Sequence, residues 1–146
     1  MTAIFQIRKA SRNDFNAVCN LLKDEKLPVE DLQEELKHFF IAQVNDEITG
    51  SIGLEEYGTD GLLRSMAVKP GYRNSGIAAK LVNQLLDYSR EKGIQQLYLI
   101  TTTAEQYFLK KGFMVTERSN VPAAILASPE FSSLCPSTAT VMSREI

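Results

Sequence analysis

Apolar and polar positions alternate in "IFQIRKA", with Ile7 and either Ile4 or Phe5 on one side, and this two-residue period predicts a first strand. The period lengthens in "SRNDFNAVCNLLKDE", where Phe15, Val18, Leu21 and Leu22 fall on one helical face. Ser11 and Asp14 form a capping-box variant at its start. "LPVEDLQEELKHF" repeats the helical spacing through Val29, Leu32 and Leu36 and predicts a second, shorter helix. Three strands in a meander follow over Phe39–Val44, Ile48–Tyr57 and Leu62–Val68, with Asn45-Asp46 and Gly58–Gly61 as turns. Ile77, Leu81, Leu85 and Tyr88 mark a helix from Gly76 to Lys92, ended by Gly93. "QLYLITT" is a short buried strand, and Thr103 caps a two-turn helix, "AEQYFLKK", closed by Gly112. "FMVTER" and "TATVMSRE" are strands on either side of the helical "VPAAILASPEFSSL", which starts at Pro122. The order β-α-α-β-β-β-α-β-α-β-α-β implies an α/β (α+β) chain with a mixed sheet of about seven strands and helices on its faces.

The turn in "MAVKPGYRNSGIAAKLVNQLLDY" (Met66 to Tyr88) sets bare amides at the mouth of a long helix. A helix N-terminus presents unpaired N–H groups and the positive end of a dipole, and so binds phosphates. Gly76 allows close backbone approach, and Asn74, Ser75, Ile77, Ala78 and Ala79 supply amides. Arg73 adds a charged fork suited to phosphate oxygens, and small Ala78 and Ala79 leave the first turn unobstructed. A plain strand-to-helix turn is the alternative. The stretch fits neither G-x-x-x-x-G-K-[ST] nor G-x-G-x-x-G.

Charge narrows the field. The 146 residues suit one domain, 1–146, and a net charge of −2 argues against a general nucleic-acid surface. Phosphate binding is therefore expected to be local. Two cysteines, Cys19 and Cys135, and a single His38 supply neither a disulfide framework nor metal-ligand spacing, so no metal is expected. The first residues hold no long apolar run, and a cytoplasmic protein without membrane contact is the expectation.

"RNSGIA" (Arg73–Ala78) resembles the [QR]-x-x-G-x-[GA] signature of the GNAT N-acetyltransferase superfamily. The preceding "MAVKPGYR" is similar to that family's "LAVxPxxR" strand end, and "AEQYFLKKGF" to its A-x-x-x-[YF]-x-x-x-G-F element. Within the superfamily, "LITTTAEQYFLKKGF" resembles the acetyltransferase domain of N-acetylglutamate synthases. The tail "VPAAILASPEFSSLCPSTATVM" is similar to a small group associated with arsenic-resistance operons. The resemblance implies the GNAT fold, with a splayed parallel pair formed by Leu62–Val68 and Gln96–Thr101. It implies acetyl-CoA as cosubstrate, with Met66, Ala67 and Val68 along the pantetheine arm, Arg73 through Ala79 on the pyrophosphate and Phe108 near the thiol. It also implies direct attack of a primary amine on the thioester.

Two departures complicate proton transfer. Some relatives carry a Glu where this chain has Leu62, and many carry a Tyr where it has Phe108. Glu55, on the neighbouring strand, is the substitute base, the alternative being a solvated carboxylate. Thr101, Thr102 or water replaces the acid; Tyr107 lies about 100° round the helix from the aligned position. Arg64, in the apolar run "LLRSMAV", is assigned to a substrate carboxylate, the alternative being an ion pair with Glu55 or Glu56. Ser65 faces the other way and is a further candidate. In the synthase-like relatives the connection "SSLCPSTA" approaches the acceptor, so Cys135, Ser137 and Thr138 are expected near it. The expected activity is acetylation of a small, amino-acid-like amine such as glutamate or a glutamate mimic; a non-catalytic acyl-CoA sensor is the alternative. A homodimer formed through the last strand is compatible with the resemblance.

Overall fold

A computed structural model describes residues 5–131 and 139–146. Its strands are β1 (Gln6–Lys9), β2 (Phe39–Val44), β3 (Glu47–Tyr57), β4 (Asp60–Val68), β5 (Gln96–Thr101), β6 (Met114–Val115) and β7 (Thr140–Glu145). The helices are α1 (Phe15–Asp24), α2 (Ile77–Glu91), α3 (Glu105–Lys110) and α4 (Ala123–Leu126). The strands form a seven-stranded sheet in the order β1-β2-β3-β4-β5-β7-β6. β4 and β5 run parallel, pairing Asp60 with Gln96, Gly61 with Leu97 and Leu62 with Tyr98. Their register ends there, although β4 continues to Val68 and β5 to Thr101. The mixed sheet with its central parallel pair is the expected GNAT architecture.

The described residues gather into two compact units. One takes the chain up to Leu54 together with Ser65–Tyr88; the other takes Glu55–Arg64 and the chain from Ser89 onward.

In the first unit the apolar stripe of α1 (Val18, Leu21 and Leu22) packs with Leu36, Phe39, Ile41 and Ala67. The capping-box variant forms: the Ser11 amide donates to Asp14 Oδ2 over 2.8 Å. Gly50 on β3 is a packing glycine. A Cβ there would meet Leu81 Cδ1 at 3.0 Å, Ile77 Cγ2 at 3.1 Å and the Ala67 carbonyl at 3.2 Å, so its absence lets β3 lie close to the start of α2.

The second helix expected over "LPVEDLQEELKHF" is absent. Its hydrogen bonds reach back only three residues, from Leu32 N to Val29 O, Leu36 N to Gln33 O and Phe39 N to Leu36 O, each over 3.1 Å. Pro28 has no amide to donate, and Leu36 takes a left-handed φ of 47°. The apolar spacing was real but served another purpose: Leu27, Val29, Leu32 and Leu36 still reach the α1 core from a chain of turns.

In the second unit Leu62, Tyr98, Val121, Ile125, Phe131 and Val141 form one apolar cluster. Phe108 and Phe113 pack edge-to-face with centroids 5.5 Å apart. Two expected elements are shorter than their patterns. "FMVTER" contributes a two-residue strand, because Phe113 turns into the core and Arg118–Asn120 forms a tight turn. The helix after Pro122 is the four-residue α4.

Candidate active site

The first unit carries the strand end and loop assigned to the cofactor. Ser65 sits inside β4 with φ 56°, a left-handed conformation that costs a residue other than glycine about 1–2 kcal/mol. Ser51 Oγ donates to the Ser65 carbonyl over 2.8 Å in a buried contact, holding the distorted strand. Met66, Ala67 and Val68 follow the distortion; Ala67 and Val68 are buried and Met66 is half-buried. The Lys69 amide closes the strand end by donating to the Thr49 carbonyl over 2.8 Å.

Beyond Val68 the chain makes a tight turn at Pro70–Tyr72, and the Ser75 hydroxyl donates to the Tyr72 carbonyl. Asn74 has φ 63° and Gly76 φ 90°. A Cβ on Gly76 would meet nothing within 4 Å, so the position needs glycine for its backbone angle and not for space. The Lys80 amide donates to the Gly76 carbonyl over 3.1 Å, so the amides of Ile77, Ala78 and Ala79 precede the first helical donor of α2. Ile77 is buried, while Ala78 and Ala79 are partly exposed. The turn itself has no acidic residue, but the fold brings two carboxylates to it. Glu25, at the end of α1, accepts from Arg73 Nη2. Arg73 Nε also donates to the Val68 carbonyl over 3.2 Å. Glu47 accepts from Lys69 Nζ over 2.7 Å and from the Tyr72 hydroxyl over 2.8 Å. That bond, with Glu47's charge, raises the Tyr72 pKa, and Lys69 and Tyr72 lower that of Glu47.

The second unit carries the candidate base. Arg64 Nη1 donates to Glu55 Oε2 over 2.5 Å, and the Arg64 side chain is 2% exposed against 26% for Glu55. The alternative reading of Arg64 as an ion-pair partner is therefore realised with Glu55, while Glu56 is exposed. The Tyr57 hydroxyl donates to the other oxygen, Oε1, over 2.5 Å. Burial, followed by the Glu55 hydrogen bond and charge, pushes the Tyr57 phenol up to about 12. A Ser128 hydrogen bond and the Arg64 charge act the other way. Sequence reasoning missed Tyr57, although its two-residue spacing from Glu55 put both on one strand face.

Thr101 ends β5, and its hydroxyl oxygen accepts from the Ala104 amide over 3.0 Å and the Thr103 amide over 3.4 Å. The capping role expected of Thr103 thus belongs to Thr101, with Ala104 as the N-cap residue of α3. Phe108 is buried between Tyr107 and Phe113, with ring centroids 5.4 and 5.5 Å away. The Tyr107 hydroxyl is buried without a hydrogen-bond partner among the described residues, and burial raises its pKa. Cys135 and Ser137 lie outside the described residues, as does Thr138. Among the described residues no helix is long and apolar enough to cross a membrane, and no three or more His, Cys, Asp or Glu side chains cluster to hold a metal.

Comparison with known proteins adds what geometry alone does not. The profile of the acetyltransferase (GNAT) family matches residues 3–113. An amino-acid acetyltransferase of Photorhabdus laumondii is 28% identical over 131 residues, covering 84% of this chain and 29% of the relative. One from Shewanella oneidensis is 25% identical over 126 residues, covering 80% and 28%. The chain thus spans less than a third of these relatives. Among solved structures, N-acetylglutamate synthase from Neisseria gonorrhoeae, complexed with coenzyme A and N-acetyl-glutamate, superposes with a TM-score of 0.83 at 19% identity, over 99% of this chain and 36% of that one. A Mycobacterium tuberculosis protein solved with CoA gives 0.81 at 22% identity, over 97% and 99%. At such identities the structural likeness establishes the fold.

Proposed function

The chain belongs to the acetyltransferase (GNAT) family, and from that premise we propose that it moves an acetyl group from acetyl-CoA to the primary amine of a small amino-acid-like acceptor. The observation that carries the cofactor half is the donor set at the head of α2. Arg73 and the amides from Asn74 to Ala79 stand together, with the backbone turned by Asn74 and Gly76. That set fits a pyrophosphate: the helix dipole and amides bind anionic oxygens, and one guanidinium supplies charge. The distorted end of β4 offers the backbone of Met66, Ala67 and Val68 to the pantetheine arm, and the Val68 amide to developing negative charge on the thioester oxygen.

Acetyl-CoA supplies an activated carbonyl and a good leaving group. The protein's task is to present a neutral amine and take its proton. Glu55 is the candidate acceptor of that proton: it is partly exposed, and Tyr57 and Arg64 fix its two oxygens in place. Arg64 remains the cation assigned to an acceptor carboxylate, which must then share the guanidinium with Glu55. Ser65 lies next to Arg64 along β4, and Cys135 and Ser137 complete the acceptor assignment made from sequence. Thr101, or water beside it, returns a proton to the CoA thiolate. Amino-acid acetyltransferases among the relatives support an amino-acid acceptor, glutamate or a mimic of it. The sensor reading has its own support: Leu62 and Phe108, where relatives carry proton-transfer groups, both sit in apolar surroundings.

The test follows CoA-thiol release from acetyl-CoA with amino acids, glutamate and its phosphinic and arsenic-containing mimics, polyamines and aminoglycosides, against controls without acceptor. Release that requires an amino-acid-like acceptor, and that falls in both Glu55→Gln and Arg64→Ala, is expected. Acetyl-CoA binding without release to any amine would favour the sensor.

A further inference from the structure

Arg73 is the charged member of the proposed pyrophosphate site, yet it is an extended loop residue followed by the left-handed Asn74, and its side chain is 51% exposed. An arginine in that setting has the rotamer freedom of a long side chain to lose before it can serve as a fixed anion receptor. Two contacts within the first unit remove that freedom. Nε is held by the Val68 carbonyl at the end of β4 over 3.2 Å, and Nη2 is held by Glu25. Different nitrogens meet different elements, so the guanidinium plane is defined and not merely tethered.

Glu25 is built to stay in place. Its amide donates to the carbonyls of Leu21 and Leu22, closing α1, and Leu27 N donates to Leu22 O over 2.9 Å immediately after it. Lys26 takes a φ of 61° to allow this wrap. The carboxylate therefore projects from a fixed helix end, and its side chain is 20% exposed, less than half the exposure of the arginine it holds. Sequence separates the pair by 48 positions, and no motif links them.

Two opposite consequences are possible for a carboxylate beside an anion receptor: it positions the arginine, or it competes with the phosphate for it. Competition requires Arg73 to swing away and strand a mostly buried carboxylate, at a desolvation cost that an incoming phosphate gains nothing from. Positioning requires no movement, since a guanidinium carries five N–H donors and can serve a carboxylate, a carbonyl and a phosphate from different edges. On this balance, and resting on the reading of the loop as a pyrophosphate site, we infer that Glu25 is a positioning residue that presents Arg73 to the diphosphate of CoA. The occupant is a diphosphate ester; the adenine and acyl ends do not enter this contact.

The experiment measures CoA binding calorimetrically and the KM for acetyl-CoA, against S-acetyl-pantetheine, which has no diphosphate, in Arg73→Ala, Glu25→Ala, Glu25→Gln and the double variant Glu25→Ala/Arg73→Ala. Glu25→Ala is expected to weaken CoA about three- to tenfold, from the freed rotamers of Arg73. Glu25→Gln, which keeps an acceptor for Nη2, is expected to recover most of that loss. Neither should alter KM for S-acetyl-pantetheine, and Glu25→Ala should have no effect on CoA in the Arg73→Ala background. Tighter CoA binding in Glu25→Ala would establish competition and overturn the inference, as would a change within twofold. If Arg73→Ala itself leaves CoA binding unchanged, the pyrophosphate reading fails and the inference goes with it. An effect of Arg73→Ala without one of Glu25→Ala overturns the inference alone. Should Glu25→Ala melt at working temperature, the same coupling is read from Glu25→Leu, which keeps the stem but offers Nη2 no acceptor, with and without Arg73→Ala, where equal losses in both backgrounds overturn the inference.

Discussion

Replacing Glu55 by Gln isolates the role of charge at the buried pair on β3 and β4. The substitution keeps the shape and an acceptor for the Tyr57 hydroxyl, but removes the negative charge that Glu55 sets against Arg64, 2% exposed. Breaking a buried ion pair by removing one partner costs about 3–5 kcal/mol, because the remaining charge is stranded in a poor solvent. Glu55 is 26% exposed, so water relieves part of that penalty, and about 2–3 kcal/mol is the expected loss. Against a total stability of about 5–15 kcal/mol this is a large fraction, and it corresponds to a fall in Tm of about 6–10 °C. Urea unfolding followed by circular dichroism reads the difference directly, with unchanged slope as the sign that the unfolded state is unaffected. The double variant Arg64→Met/Glu55→Gln removes both charges of the pair and should regain most of the loss. A Glu55→Gln loss below about 0.5 kcal/mol, or a double variant no more stable than the single one, would refute the reasoning and mean that Arg64 is neutralised by other partners.

Other substitutions and conditions probe separate parts of the fold. Gly76→Ala places a side chain at φ 90° in open space, so stability should fall by about 1 kcal/mol or more from the backbone angle alone, read by urea melts, while CoA binding weakens as the amides shift. The Tyr57 phenol is raised to about 12 in the folded protein, so its contribution is fully present below the ordinary phenol range near 10 and is lost as pH rises toward 12. Alkaline melts of Tyr57→Phe should therefore lack the steepening that the parent shows above about pH 10. Asp14 moves the other way: Arg8 donates to both its oxygens over 2.9 Å and holds its carboxyl below the ordinary range. Its stabilisation is present above the unfolded value near 4 and is lost as pH falls through the lower folded value. Asp14→Asn should destabilise the protein by about 1–2 kcal/mol at neutral pH and flatten the acid limb of the stability curve.

What the sequence made legible depended on how far apart the cooperating residues lie. α1, α2 and the meander strands were readable because each pattern is local: a stripe at three- and four-residue steps, or an alternation, buries against whatever neighbour the fold provides. The segment from Leu27 to His38 shows where that logic stops. Val29, Leu32 and Leu36 have helical spacing and do reach the core, joined there by Leu27, but spacing reports which side chains are buried, and successive turns bury the same residues. Pro28 and the left-handed Leu36 decide the backbone, and only the second is invisible in the sequence.

The same division runs through the site. The turn from Arg73 to Ala79 was legible as a turn because its residues are consecutive, and Gly76 does take the angle that only glycine takes cheaply. Arg64 carried two readings that sequence could not separate, since the cost of burying a cation demands a partner without naming it. The structure gives it Glu55, the same residue that the missing Leu62 carboxylate had drawn attention to as a base. These two assignments are thus one problem. The guanidinium that fixes Glu55 is the same group that would hold an acceptor carboxylate, so the two roles draw on one set of N–H donors. Arg64→Met is the variant that separates them. If Arg64 serves mainly to hold Glu55, kcat falls while the KM for the acceptor changes little. If Arg64 binds the acceptor carboxylate, KM rises while kcat at saturating acceptor changes little.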